Sequence, residues 1–350
     1  MAIIWADNFQ AYGSTTYIND GIYSEAEGNI QNDPDPNIST DVLSFNNFSV
    51  DEQVRFALPV GPIATGGVSM KVYMPALPTS GYSSILTFKD ISNSAQVTIG
   101  IGTTGAITAF LGSTSGTVLG TTAIPVVTAS AWHHIETKVT IDNSAGAVEV
   151  RVNGVPRLTL SSIDTQVTAN ASYAQIGFAN NTSAEQYQRA FDMKDLVVWD
   201  TTGTENNDFL GSVSVFNLAV DGDSSLNWTP STGSTGFDLI NEQESVNDAD
   251  YISASDALPA ASVFTVENLP PDITSIKALI PVIRAAKTDG GDGNIQLGLT
   301  SNGSTDLGTD RPITAAFTYW WDVSELSPDT GLSYTPTEVD NILYQIDRTV

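Results

Sequence analysis

The stretch Ala131–Leu160, AWHHIETKVTIDNSAGAVEVRVNGVPRLTL, constrains the fold of this chain more than any other. From Trp132 to Ile141 the side chains alternate between apolar and polar, as they do along a half-buried strand, and Asp142–Gly146 supplies the turn residues that end it. Ala147–Val152 alternates again. Asn153-Gly154 then offers the pair of positive-φ positions that a type I′ hairpin turn requires, and Leu158 and Leu160 resume the apolar face. Three antiparallel strands joined by two polar turns are predicted.

The rest of the composition agrees with a β protein. Charged residues are only 15% of the chain, and uncharged turn formers separate short apolar runs at Val54–Ala57, Gly67–Met74, Ser84–Asp90, Gln96–Ile101 and Ala106–Leu111. At 350 residues the chain is expected to form two domains. Lys plus Arg is 13 against 40 Asp plus Glu, a net charge of −27, which disfavours nucleic acid and anionic membrane surfaces as direct partners. The absence of cysteine excludes disulfides, thiolate metal sites and cysteine nucleophiles. The opening MAIIWADNFQAYG has no basic flank and no long apolar run, so neither a signal peptide nor a membrane span is expected there.

A Trp132-His133 pair opening a strand, a turn, and a strand ending in Val152-Asn153-Gly154 resembles the laminin-G-like, concanavalin-type β-sandwich domain. The resemblance implies a jelly-roll sandwich over residues 1–203, with Ile3–Phe9 beside Arg189–Trp199 as first and last strands. Asn19–Asn37, with its Asp-Pro steps, is expected to be a long surface loop. Residues 204–350 are expected to form a second β-sandwich-like domain. Its strands are placed at Val213–Leu218, Ser262–Glu267, Ser275–Arg284, Asn294–Thr300 and Ala315–Trp320, with Asp289–Asn294 as a hairpin loop. Thr335, Pro336 and Glu338 make a capping box, and Val339, Ile342, Leu343 and Ile346 a helical stripe, so a short C-terminal helix is expected to close an all-β chain.

Chemistry-bearing patterns are few. His133 and His134 leave their strand on opposite faces and cannot share a ligand, one expected to be packed and the other solvated. Glycosidases of the concanavalin type place two glutamates on one strand as Glu-x-Asp-x-Glu. Here Glu136 and Glu149 stand alone, so no catalytic residue is assigned and no enzyme is expected. Calcium has possible oxygen ligands in Asp33, Asp35, Asp142, Asn143, Asp289 and Asp292, but none forms a specific spacing, and no cofactor or metal is assigned. Tyr319-Trp320-Trp321 is the one cluster of three aromatics, a candidate interface or ligand platform.

The order FLGSVSVFNLAVDGD, WTPSTGS and ADYISAS over residues 206–255 resembles structural proteins of tailed bacteriophages. That resemblance implies a virion component, a capsid decoration or tail-attached protein assembled in the host cytoplasm. Its partners would be other virion proteins and copies of itself in a homo-oligomer. The alternative is a carbohydrate-binding or receptor-binding lectin-like protein that holds host glycans, with a glycoside hydrolase as a third reading.

Overall fold

The computed structural model of the chain describes residues 2–12, 22–26, 29–32, 41–45, 54–178, 191–242, 246–254, 260–288 and 290–349. These form an all-β protein of two compact units, one made of Ala2–Gln10 and Ser14–Val215, the other of Ala11–Gly13 and Phe216–Val350. Residues through Val215 thus belong to the first unit, although the polar stretch after Asp200 reads as a linker.

The first unit is a jelly-roll β-sandwich. One sheet runs in the order Val155–Ile163, Gly146–Val152, Trp132–Thr140, Thr65–Tyr73, Phe191–Asp200, Asp41–Phe45, Asn29–Asn32, and Ile3–Asp7 also pairs with Phe191–Asp200. The other runs Thr117–Thr121, Ile107–Leu111, Ala95–Gly102, Tyr82–Lys89, Gln175–Phe178, Val54–Ala57, Tyr23–Ala26. Val68, Met70, Ile135 and Val139 from the first sheet and Phe56, Phe88, Ile99 and Ile176 from the second are at most 1% exposed. Burying each such side chain contributes about 1.5–3 kcal/mol.

Local sequence accounts for several elements. First and last strands lie side by side and antiparallel, with Trp5 opposite Val198 and Asp7 opposite Leu196. The Asn153-Gly154 turn has φ of 51° and 77°, as a type I′ turn needs, and Asn153 Oδ1 accepts a hydrogen bond from the backbone N–H of His134 at 3.0 Å. The stretch expected to be a long loop contains two strands, Tyr23–Ala26 and Asn29–Asn32. Each finds an edge partner, Val54–Ala57 and Asp41–Phe45 respectively, and a pairing edge from elsewhere in the chain outweighs local turn propensity.

The second unit is built on a sheet ordered Val220–Ser225, Ala260–Val266, Leu343–Arg348, Asn294–Ser301, Ser304–Leu307, with Arg311–Pro312 pairing to Asn294–Ser301. Its core gathers Phe264, Ile295, Leu297, Tyr334, Val339 and Ile346. The capping box forms at Thr335 and Glu338, but the helix covers only Pro336–Val339. Ile346, read as part of a helical stripe, lies in the strand Leu343–Arg348, where Tyr344 and Ile346 alternate inward. A short apolar run fits either period, and two sheet partners decide for the strand.

The expected strand Ser275–Arg284 is reduced to Val282–Ala285, which pairs with Thr318–Trp321. The glycine-rich segment before Asn294 therefore does not join a hairpin, because the strands flanking it lie in different sheets.

Candidate functional site

Alternation along Trp132–Thr140 decides which side chains the first sheet offers to its outer face. Ile135 and Val139 enter the core, so Trp132, His134, Glu136 and Lys138 project the other way. Antiparallel register then sets them in rows across neighbouring strands. Trp132 lies opposite Tyr73, Tyr73 opposite Asp192, and Asp192 opposite Ser44. His134 lies opposite Lys71, and Glu136 opposite Ser69. Lys138 lies opposite Gly67, itself opposite Trp199.

The first row is partly open to solvent. Trp132, Tyr73 and Asp192 are half-buried, and the two rings stand 5.5 Å apart at 48°. The Lys194 ammonium sits 4.5 Å from the Trp132 ring centre, within range of a cation–π attraction, and Ser44 donates its hydroxyl to Asp192 Oδ1.

The remaining rows lie beneath the chain's own segment Asp208–Val215. Glu136 is fully buried, and its Oε1 accepts from the backbone N–H groups of Leu210 at 2.8 Å and Gly211 at 3.1 Å. Asp195 Oδ1 accepts from Val215 N at 2.9 Å, and its Oδ2 pairs with Lys71 Nζ at 2.7 Å. Lys71 also donates to Ser214 Oγ at 2.9 Å. Lys138 pairs with Asp208 at 2.9 Å. The Arg151 guanidinium stacks 3.6 Å from the centre of the Phe209 ring, which meets Trp199 edge-on at 5.9 Å. Trp199 is itself fully buried across Gly67, where a Cβ would stand 2.4 Å from the indole.

Burial governs the ionisation of this face. It lowers the His134 imidazole to about 4, assisted by Lys71 and opposed by Asp195, so the ring is neutral near pH 7. His134 Nε2 shares a 2.7 Å hydrogen bond with Ser69 Oγ. Burial raises the Glu136 carboxyl, with Asp208 adding to the effect, and it exceeds the opposing pull of the Leu210 and Gly211 amides and Arg151. Asp208 goes the other way. Burial would raise it, but the Lys138 hydrogen bond, the Phe209 amide and the charges of Lys138 and Arg151 hold it below the usual range.

The residues singled out from sequence are dispersed. Tyr319 is 6% exposed, with Arg284 5.3 Å from its ring centre. Trp320 packs partly buried on the core of the second unit, and Trp321 is half-buried opposite Val282. Asp142 Oδ1 accepts from the backbone of Ser144 and Ala145, which closes its turn, while Asn143 and Asp292 are exposed. Asp33, Asp35 and Asp289 lie outside the described residues. Neither histidine is solvated. His133 is 8% exposed and bonded to Thr128, and His134 is 5% exposed on the covered face. Glu136 is the one carboxylate on its strand, and its carboxyl is held by the amides of Leu210 and Gly211. The row Trp132, Tyr73, Asp192, Ser44 was missed. The alternation at positions 132, 134, 136 and 138 carries its signal, but the partners come from distant strands.

A scan against family models finds no match, and a search of curated proteins finds none either. Among solved structures the chain is similar to alginate lyase vAL-1 from Chlorella virus, at 9% identity and a TM-score of 0.39, over 51% of this chain and 91% of that one. It is similar to a cellulose-induced protein, Cip1, at 10% identity and a TM-score of 0.40, over 60% of this chain and 100% of that one. A sialidase matches at 14% identity and a TM-score of 0.38, over 56% of this chain and 18% of that one. The expectations of a phage virion structural protein and of no enzyme are corrected: the neighbours named above are an alginate lyase, a cellulose-induced protein and a sialidase, and no phage structural protein is among them.

Proposed function

We propose that the first unit is a glycan-binding β-sandwich that holds a sugar on the row Trp132, Tyr73, Asp192, Ser44. One observation carries this reading: a half-buried aromatic pair 5.5 Å apart stands in register with a half-buried carboxylate on the same sheet face. Aromatic faces bury the C–H face of a pyranose, and an adjoining carboxylate accepts from its hydroxyls and fixes its orientation. Lys194 beside Trp132 supplies a donor at the same end.

The test is calorimetric titration of the full chain with neutral and acidic oligosaccharides. Trp132→Ala and Tyr73→Ala are each expected to weaken binding by about tenfold or more, equivalent to about 1.4 kcal/mol, with unchanged circular dichroism. Affinity indifferent to both substitutions contradicts the reading.

A further inference from the structure

The segment Asp208–Val215 lies on the outer face of the first sheet without joining its ladder. It contains no strand, and only Leu210 among its side chains is buried. What holds it is largely polar: the carboxylates of Glu136 and Asp195 take the amides of Leu210, Gly211 and Val215, and Lys71 and Lys138 take Ser214 and Asp208. Few buried apolar contacts mark a segment that opens at low cost.

The face beneath it is not finished as a structural interface would be. Glu136 Oε2, His134 Nδ1 and Trp199 Nε1 have no hydrogen-bond partner among the described residues, although the three side chains are 0%, 5% and 0% exposed. Buried polar atoms are ordinarily paired, so these three leave hydrogen-bonding capacity unused beneath the segment. The cations of this sheet, Lys71, Lys138, Arg151 and Lys194, stand among the carboxylates of Glu136, Glu149, Asp192 and Asp195, and Arg151 Nε pairs with Glu149 at 2.8 Å.

The strap meets that face as a carboxylate next to a flat apolar ring. Asp208 pairs with Lys138 at 2.9 Å, Arg151 helps to hold it ionised, and the Phe209 ring lies on the Arg151 guanidinium and against Trp199. A uronic acid residue presents the same two features, a carboxylate and an apolar ring face. We propose that Asp208–Val215 is a built-in pseudo-ligand, closing a second site on this sheet that binds acidic oligosaccharides through Lys138, Arg151, Trp199 and Glu136 once the strap is displaced. The proposal rests on the glycan-binding reading of the first unit but uses different rows of the sheet.

Because the closed form must open first, apparent affinity is reduced by the fraction of open molecules, and weakening the strap restores it. Two measurements on the full chain test this, both with a polygalacturonate oligosaccharide as probe. In the unsubstituted protein, the amides of Leu210, Gly211 and Val215 are expected to exchange hydrogen about tenfold faster when the probe is bound. In the double variant Asp208→Ala, Phe209→Ala the probe is expected to bind about tenfold tighter, while a neutral oligosaccharide on the Trp132 row binds unchanged. Strap amides that stay protected, or affinity equal to or weaker than that of the unsubstituted chain, overturn the proposal. Neutral binding that is lost in Trp132→Ala while the strap never responds overturns the second site alone. Strap release that survives Trp132→Ala and Tyr73→Ala supports the second site, and neutral binding that also survives them overturns the open row.

Discussion

His134 shows how one buried side chain carries a pH response. The folded chain keeps the imidazole deprotonated down to about 4, whereas the unfolded chain takes a proton near 6.5. Between those values the unfolded state binds more protons, so stability is full above the upper value and is lost as pH falls toward the lower one. The loss amounts to roughly 3 kcal/mol. Burial lowers His133 in the same direction. Glu136 has the opposite sign: its raised carboxyl stabilises the fold below the ordinary carboxyl value, and this contribution is lost as pH rises through the folded value. Lys71, Asp195, Arg151 and Asp208 set the field around these two groups. Urea unfolding between pH about 7 and about 4 is therefore expected to show a steep acid limb that His134→Gln flattens; identical limbs contradict this. At this scale the sequence shows that Trp132, His134, Glu136 and Lys138 share a face. It does not show Ser69, Lys71 or Asp195 beside them, because register between distant strands has no local signal.

Among the elements, the hairpin at Asn153-Gly154 is the most legible, since two positive φ values admit few residue types and the dipeptide names them. Asn153 also caps the backbone N–H of His134. Asn153→Ala is expected to cost about 1–2 kcal/mol, from the positive φ and the lost hydrogen bond, while Asn153→Gly costs less because it keeps the φ. Denaturant midpoints for the two variants check the order, and equal midpoints contradict it. The strap is the least legible element. Val213, Val215 and Leu218 alternate as a strand would, yet 209–219 form none; what Asp208–Val215 meets is a sheet face, where side chains rather than ladder groups take its amides. The C-terminal stripe failed for a related reason: after one capped turn, neighbouring strands offered Leu343–Arg348 more hydrogen bonds than a further helical turn would.

For the whole molecule, composition conveyed an all-β chain, and the resemblance to a concanavalin-type domain conveyed the sandwich. Function was less legible. A search for familiar catalytic spacings finds nothing, whereas the candidate site is made by rows across four strands drawn from the start, middle and end of the first unit. The central claim is that glycan sits on the Trp132 and Tyr73 row, and hydroxyl-radical footprinting with and without a bound oligosaccharide tests it most directly. Trp132 and Tyr73 are expected to lose reactivity on binding, while Tyr319, Trp320 and Trp321 keep theirs. Protection confined to Tyr319–Trp321, or none on the first unit, would contradict the claim.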